Sequence, residues 1–270
     1  MRRNRRAARA LLVLGVSILI APCAARAQSG DEVWRGLVRD IFQGRPMTPG
    51  RDVISLQAPA EARDAALVPM SIHLEQPATV VRNVTLVVDA NPAPMAARFT
   101  IGPNSGVTMI STRVRVNDFT DVHAVAETTD GALHMTQRYV KGAGGCAAPS
   151  VKNMDEALAS LGLIKYRDIP AGDLGSANRR EGQIMIRHPN SSGMQMDQRS
   201  NSYIPARYID QVVVKQGDDL VFQMDGGISI SEDPNFRFTF VPNGAKALSI
   251  EAHDSDGKVF RLMAPLGGAS

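Results

Sequence analysis

The sequence predicts an all-β protein built as two β-sandwich units in tandem, with one short helix at the start and another in the connection. Two patterns carry that reading. Apolar and polar residues alternate over a succession of short runs. Turn signals recur between those runs at the spacing of an antiparallel sandwich. A third observation divides the chain, because Gly, Asp, Ser and Asn cluster between Ala171 and Asn178 and separate two sets of runs.

Residues 1–27 read as an export signal. Basic Met1-Arg2-Arg3-Asn4-Arg5-Arg6 precedes an apolar run from Leu11 to Ile20, and Ala25-Arg26-Ala27 forms a small-x-small cleavage site before Gln28. Ile20-Ala21-Pro22-Cys23 departs from a lipoprotein box at Pro22. The expected destination is the periplasm. The apolar run is too short to span a bilayer, and no later stretch is long or apolar enough. Of 30 basic residues, six lie in this segment, which holds no acid, so the remainder carries 24 against 27 acids, a net charge of −3. No polycationic face for nucleic acid is implied.

Past Ser29, Val33, Trp34, Leu37, Val38, Ile41 and Phe42 fall at helical spacing, and Gly44 and Pro46 end the run. Trp34 and Phe42 are expected to anchor this helix. Alternation then predicts strands at Met70–Leu74, Val80–Val88, Val107–Arg113, Val122–Glu127 and Leu133–Val140, separated by Pro92-Ala93-Pro94, Pro103-Asn104 and Asp130-Gly131. Met154, Leu158, Leu161 and Ile164 give a second helical stripe inside a linker. A second set of strands is predicted at Gln183–Arg187, Tyr208–Lys215, Leu220–Gln223, Phe236–Phe240, Leu248–Ala252 and Val259–Met263.

The last predicted hairpin of the first unit delivers the chain to Lys141-Gly142-Ala143-Gly144-Gly145-Cys146-Ala147-Ala148-Pro149. A core cysteine is normally surrounded by Val, Leu or Ile, whereas glycines free the backbone. The expectation is a solvent-presented carrier thiol, Cys146, on a flexible arm of Gly142, Gly144 and Gly145. Signal cleavage discards Cys23, so Cys146 has no intrachain disulfide partner. An ordinary thiol, pKa about 8.5, is mostly protonated at neutral pH. Its activation is left open between the N–H groups of Gly144 and Gly145, Lys141, and a cation supplied by a partner.

Val33-Trp34, Asp40-Ile41-Phe42, Arg45-Pro46, Ile54-Ser55-Leu56, Ala58-Pro59, Ala62 to Ala66 and Val68-Pro69, together with Gly144-Gly145-Cys146, resemble SoxY, the thiol-bearing half of the SoxYZ carrier of periplasmic sulfur oxidation. Ile186-Arg187-His188-Pro189, Gly193, Asp197, Ile204-Pro205-Ala206, Tyr208-Ile209, Asp233-Pro234 with Phe236, and Asp254 to Gly257 are similar to SoxZ. Fused chains of this kind resemble the SoxYZ-like carriers associated with quinoprotein dehydrogenases. The resemblance implies two immunoglobulin-like sandwiches: SoxY-like over 28–150, a linker with a short helix at 151–178, and SoxZ-like over 179–270. It implies no catalysis and no cofactor. Sulfur species would be bound covalently on Cys146 and acted on by periplasmic sulfur-oxidising enzymes or a quinoprotein dehydrogenase system. The alternative is a non-carrier immunoglobulin-like accessory protein of such a dehydrogenase. In SoxY the arm is a free C-terminus, whereas here Ala147-Ala148-Pro149 follows and the chain continues. A loop pinned at both ends reaches less far.

Other candidates read as structural. His73, His123, His134, His188 and His253 show no ligand spacing. Met194-Gln195-Met196 reads as a loop rather than soft-metal capture, and Ser231 to Pro234 and Asp254 to Gly257 as turns without calcium-loop spacing. No Cys-x-x-Cys supports an oxidoreductase, and no Lys-Ser or Lys-Thr follows the glycines as a phosphate loop requires.

Overall fold

The computed structural model describes residues 30–149, 154–169, 178–197 and 200–267. The segment read as an export signal and nearly all of the predicted Gly, Asp, Ser and Asn connection lie outside the described residues. No helix among the described residues is long and apolar enough to cross a membrane.

Helix α1 (Gly30–Phe42) has Asp31 and Glu32 in its first turn and Arg39 in its last, matching the helix dipole. It stops where Gln43 and Gly44 take left-handed backbone angles, φ 58° and 69°. Its stripe of Trp34, Leu37 and Ile41 packs with Phe42 on Val87, Val125 and Leu133. The Trp34 indole lies flat on the His123 ring, centroids 3.6 Å apart.

The first unit continues with β1 (Met47–Pro49), β2 (Ile54–Gln57), β3 (Val68–Leu74), β4 (Val81–Val88), β5 (Met95–Ile101), β6 (Met109–Val114), β7 (Thr120–Thr128) and β8 (Leu133–Val140). After α2 (Met154–Ala159), the second unit comprises β9 (Ile164–Ile169), β10 (Arg180–Ile186), the short β11 (Met196–Asp197) and β12 (Ser202–Tyr203), β13 (Ile209–Gln216), β14 (Asp219–Gly226), β15 (Asn235–Phe240), β16 (Ala247–Asp254) and β17 (Val259–Pro265).

The two sandwiches stand side by side and share both sheets. A nine-stranded sheet runs β1-β8-β7-β4-β5-β14-β13-β16-β17, and a six-stranded sheet runs β2-β3-β6-β15-β10-β9. All pairs are antiparallel except β1 with β8. The seam is hydrogen-bonded in each layer: Phe99 on β5 pairs with Met224 on β14, and Ile110 on β6 pairs with Phe238 on β15. Fully buried Phe99, Phe222, Phe236 and Phe238 fill the space between layers there, with ring centroids 5.0–6.4 Å apart.

Three expectations need correction. Strand β5 escaped the alternation pattern because Ala96 and Ala97 are both buried, which erases the period of two. The predicted linker contains β9, which pairs with β10 over Ile164 to Ile169. Ile164 therefore begins a strand rather than continuing the second helix, which ends at Ala159.

Candidate functional site

Strand β8 ends at Val140, and the chain turns at once against two neighbouring segments. Lys141 bridges Glu61, with its N–H on Ala60 O at 2.9 Å. Gly144 donates its N–H to Asn117 O at 2.9 Å, and Gly145 donates to Val116 O at 3.1 Å. Ala147 and Ala148 both donate back to Gly144 O, at 3.2 and 3.0 Å, closing a tight turn around Cys146.

Glycine is needed here for proximity. A Cβ on Gly145 would sit 2.1 Å from Ala65 O and 2.6 Å from Val116 O, and one on Gly142 would meet Val116 Cγ1 at 3.0 Å. Gly144 takes φ 72°, the left-handed region that favours glycine. The arm predicted as flexible is thus a packed turn, and Cys146 is 0% exposed. Small residues let the backbone settle onto its neighbours instead of freeing it. The N–H groups of Gly144 and Gly145, proposed as thiolate donors, are spent on carbonyls, and Lys141 faces solvent.

The second unit supplies the cover. Ser192 Oγ donates to Cys146 O and accepts from Met194 N–H at 3.2 Å. Gln195, fully buried, accepts the Ser192 N–H on Oε1 at 2.7 Å. Asn190 holds this loop in place through its side chain, accepting from Ile209 N–H at 3.0 Å and donating to Ile230 O at 3.3 Å. His188 Nδ1 accepts the Asn190 N–H at 3.0 Å, and its Nε2 lies 3.6 Å from Asp254 Oδ2.

Beneath the turn lies Arg115, among the largest fully buried side chains of the chain. Its Nη1 donates to Gly145 O at 3.1 Å and its Nη2 to Asn190 O at 3.2 Å, joining the two units at the residue before the thiol. Asn91 fixes its backbone, donating to Arg115 O at 2.7 Å and to Ser229 Oγ at 2.9 Å. Sequence reasoning missed Arg115, although Val114-Arg115-Val116 places a charge inside an apolar run. Ser192, Gln195 and Glu232 had no such signal.

The electrostatics follow from burial. Desolvation pushes the Cys146 thiol above its ordinary value, and the positive field of Arg115 opposes this. Desolvation likewise lowers Arg115, countered by Glu232, Cys146 and Asp64. Glu232 is raised to about 7, first by burial, against the pull of Arg115 and Arg113 and with the push of Asp233 and Asp64. The site is therefore a neutral thiol, a buried cation and a carboxyl near its midpoint at neutral pH. Among the described residues no cluster of His, Cys, Asp or Glu could hold a metal ion.

Residues 38–146 match the family described as sulfur oxidation protein SoxY, and residues 175–264 match sulphur oxidation protein SoxZ. Among solved structures, the chain is similar to the sulfur carrier protein SoxY from Chlorobium limicola f thiosulfatophilum, at 24% identity over 42% of this chain and 94% of that one, TM-score 0.36. It is also similar to superoxide reductase (neelaredoxin) from Ignicoccus hospitalis, at 12% identity over 33% of this chain and 79% of that one, TM-score 0.30. No curated protein matches it in sequence. With a SoxY domain followed by a SoxZ domain on one polypeptide, the chain belongs to the sulfur oxidation proteins as a fused SoxYZ-like member.

Proposed function

We propose that this chain is a periplasmic sulfur carrier that holds sulfur covalently on Cys146 while partner enzymes act on it. One observation carries the reading: the SoxY match runs to residue 146, the free thiol of the described residues. Loading with hydrosulfide converts RSH and HS⁻ into RSS⁻, two protons and two electrons. Loading with thiosulfate converts RSH and S₂O₃²⁻ into RSSSO₃⁻, one proton and two electrons. The electrons pass to a haem or quinone centre of the partner enzyme. Both conjugates end in an anion, and the covalent tether keeps reactive sulfur at high local concentration beside a docked partner. Because the thiol is enclosed, the turn must lift from Ala65 and Val116 before a partner reaches it.

That enclosure favours a second reading, an accessory protein of a periplasmic quinoprotein dehydrogenase that makes no use of the thiol. Intact-mass measurement after incubation with sulfide and ferricyanide separates the two. The carrier gains the mass of a sulfur atom on Cys146 and Cys146→Ser gains none. No gain in the wild type, with a dehydrogenase co-purifying equally with Cys146→Ser, establishes the accessory role instead.

A further inference from the structure

Arg115 has no carboxylate to answer its charge at bonding distance. It is fully buried, its two terminal nitrogens are spent on neutral carbonyls, and its Nε–H has no acceptor. No ion pair to it occurs among the described residues. Holding a cation away from water without a partner is unfavourable. Linking two carbonyls does not require that cost, since a neutral amide donates the same hydrogen bonds. A second orphaned donor lies on the covering loop, where Nε2 of buried Gln195 finds no acceptor.

We propose that Arg115, with the unpartnered amide of Gln195 on the covering loop, receives the anionic end of the group carried on Cys146, so that the closed turn selects a persulfide or thiosulfonate over a neutral conjugate. The proposal rests on the carrier reading and makes Arg115 a specificity-determining residue, not a participant in sulfur transfer. In the unloaded protein, with the Cys146 thiol neutral, the cation is answered through space by Glu232 and Asp64. A terminal anion on Cys146 supplies the missing acceptor and holds the turn shut. A neutral group leaves the cation unanswered.

Thiol–disulfide exchange tests this without any sulfur substrate. The Cys146 thiolate attacks a symmetrical disulfide RSSR, forms Cys146–S–S–R and releases RS⁻. The probes are the disulfides of 2-mercaptoethanesulfonate, which is anionic, and 2-mercaptoethanol, which is neutral, and the equilibrium adducts are read by intact mass. The ratio of anionic to neutral adduct should be about ten-fold higher in the folded protein than in urea, from one charge interaction at partial screening. The preference should vanish in Arg115→Gln and persist in Arg115→Lys. Equal ratios in folded and unfolded wild type overturn the proposal, even if Arg115→Gln fails to fold, as does a preference that survives in a folded Arg115→Gln. Failure of sulfide or thiosulfate to load Cys146 would sink the carrier reading and leave this ratio untouched.

Discussion

Glu232 shows how one residue couples this site to pH. Its carboxyl is half-buried with Oε2 unpartnered, and burial is the largest cause of its rise from 4.5 to about 7. A carboxyl whose native value is raised binds its proton more tightly when folded. Its contribution to stability is complete below about 4.5 and is lost as pH rises through about 7. Arg115 and Arg113 limit the loss, whereas Asp233 and Asp64 add to it. Glu232→Gln should therefore gain on the wild type between pH 5 and pH 8, by about 1–2 kcal/mol after allowing for solvent screening. Urea denaturation of both proteins at the two pH values measures this. Stability differences that do not change with pH would show that Glu232 ionises as an ordinary surface carboxylate.

At the scale of elements, the turn after β8 and the loop preceding β11 form one latch. Ser192 Oγ on Cys146 O is a side-chain bond made directly between them, and it crosses from the second unit to the first. Ser192→Ala removes about 1 kcal/mol of closure, which raises the open fraction about five-fold. Iodoacetamide should accordingly modify Cys146 in folded Ser192→Ala about five times faster than in the wild type, and both more slowly than in urea. Equal rates in the folded proteins would show that the loop does not hold the turn. The strands around this latch were largely legible because alternation reports a half-buried sheet directly, as in Val68–Leu74 and Ala247–Asp254. The latch was not. A glycine run has the same sequence whether it swings free or packs against Ala65 and Val116, and only the partner surface distinguishes the two. Arg115 meets Asn190 across 75 residues of chain and Ser192 meets Cys146 across 46, distances that local patterns do not span.

On the scale of the molecule, the decisive feature is that neither unit owns its sheets. Hydrogen bonds run unbroken from β4 through β5 to β14 and from β3 through β6 to β15, so separating the units opens a ladder in each layer. It also exposes Phe99, Phe222, Phe236 and Phe238, each worth about 2–3 kcal/mol of burial. Arg115 and Ser192 add polar links at the thiol, so the latch is assembled only when both units are in place. Two weakly joined sandwiches would unfold in two steps, whereas a shared core unfolds in one. Trp34, the sole tryptophan, is stacked on His123 and reports the first unit, while far-UV circular dichroism reports strands of both. The urea midpoints from tryptophan fluorescence and from dichroism should coincide, with equal slopes. Hydrogen exchange should give β4 and β16 the same limiting opening free energy, since both open only with the whole. A plateau between two transitions, or β16 amides exchanging far more easily than those of β4, would mean that the second unit opens alone. In that event release of the thiol proceeds by detachment of an entire unit rather than by lifting of the turn that carries Cys146, and Ser192→Ala would lower both the second unit's stability and the closure of Cys146 together.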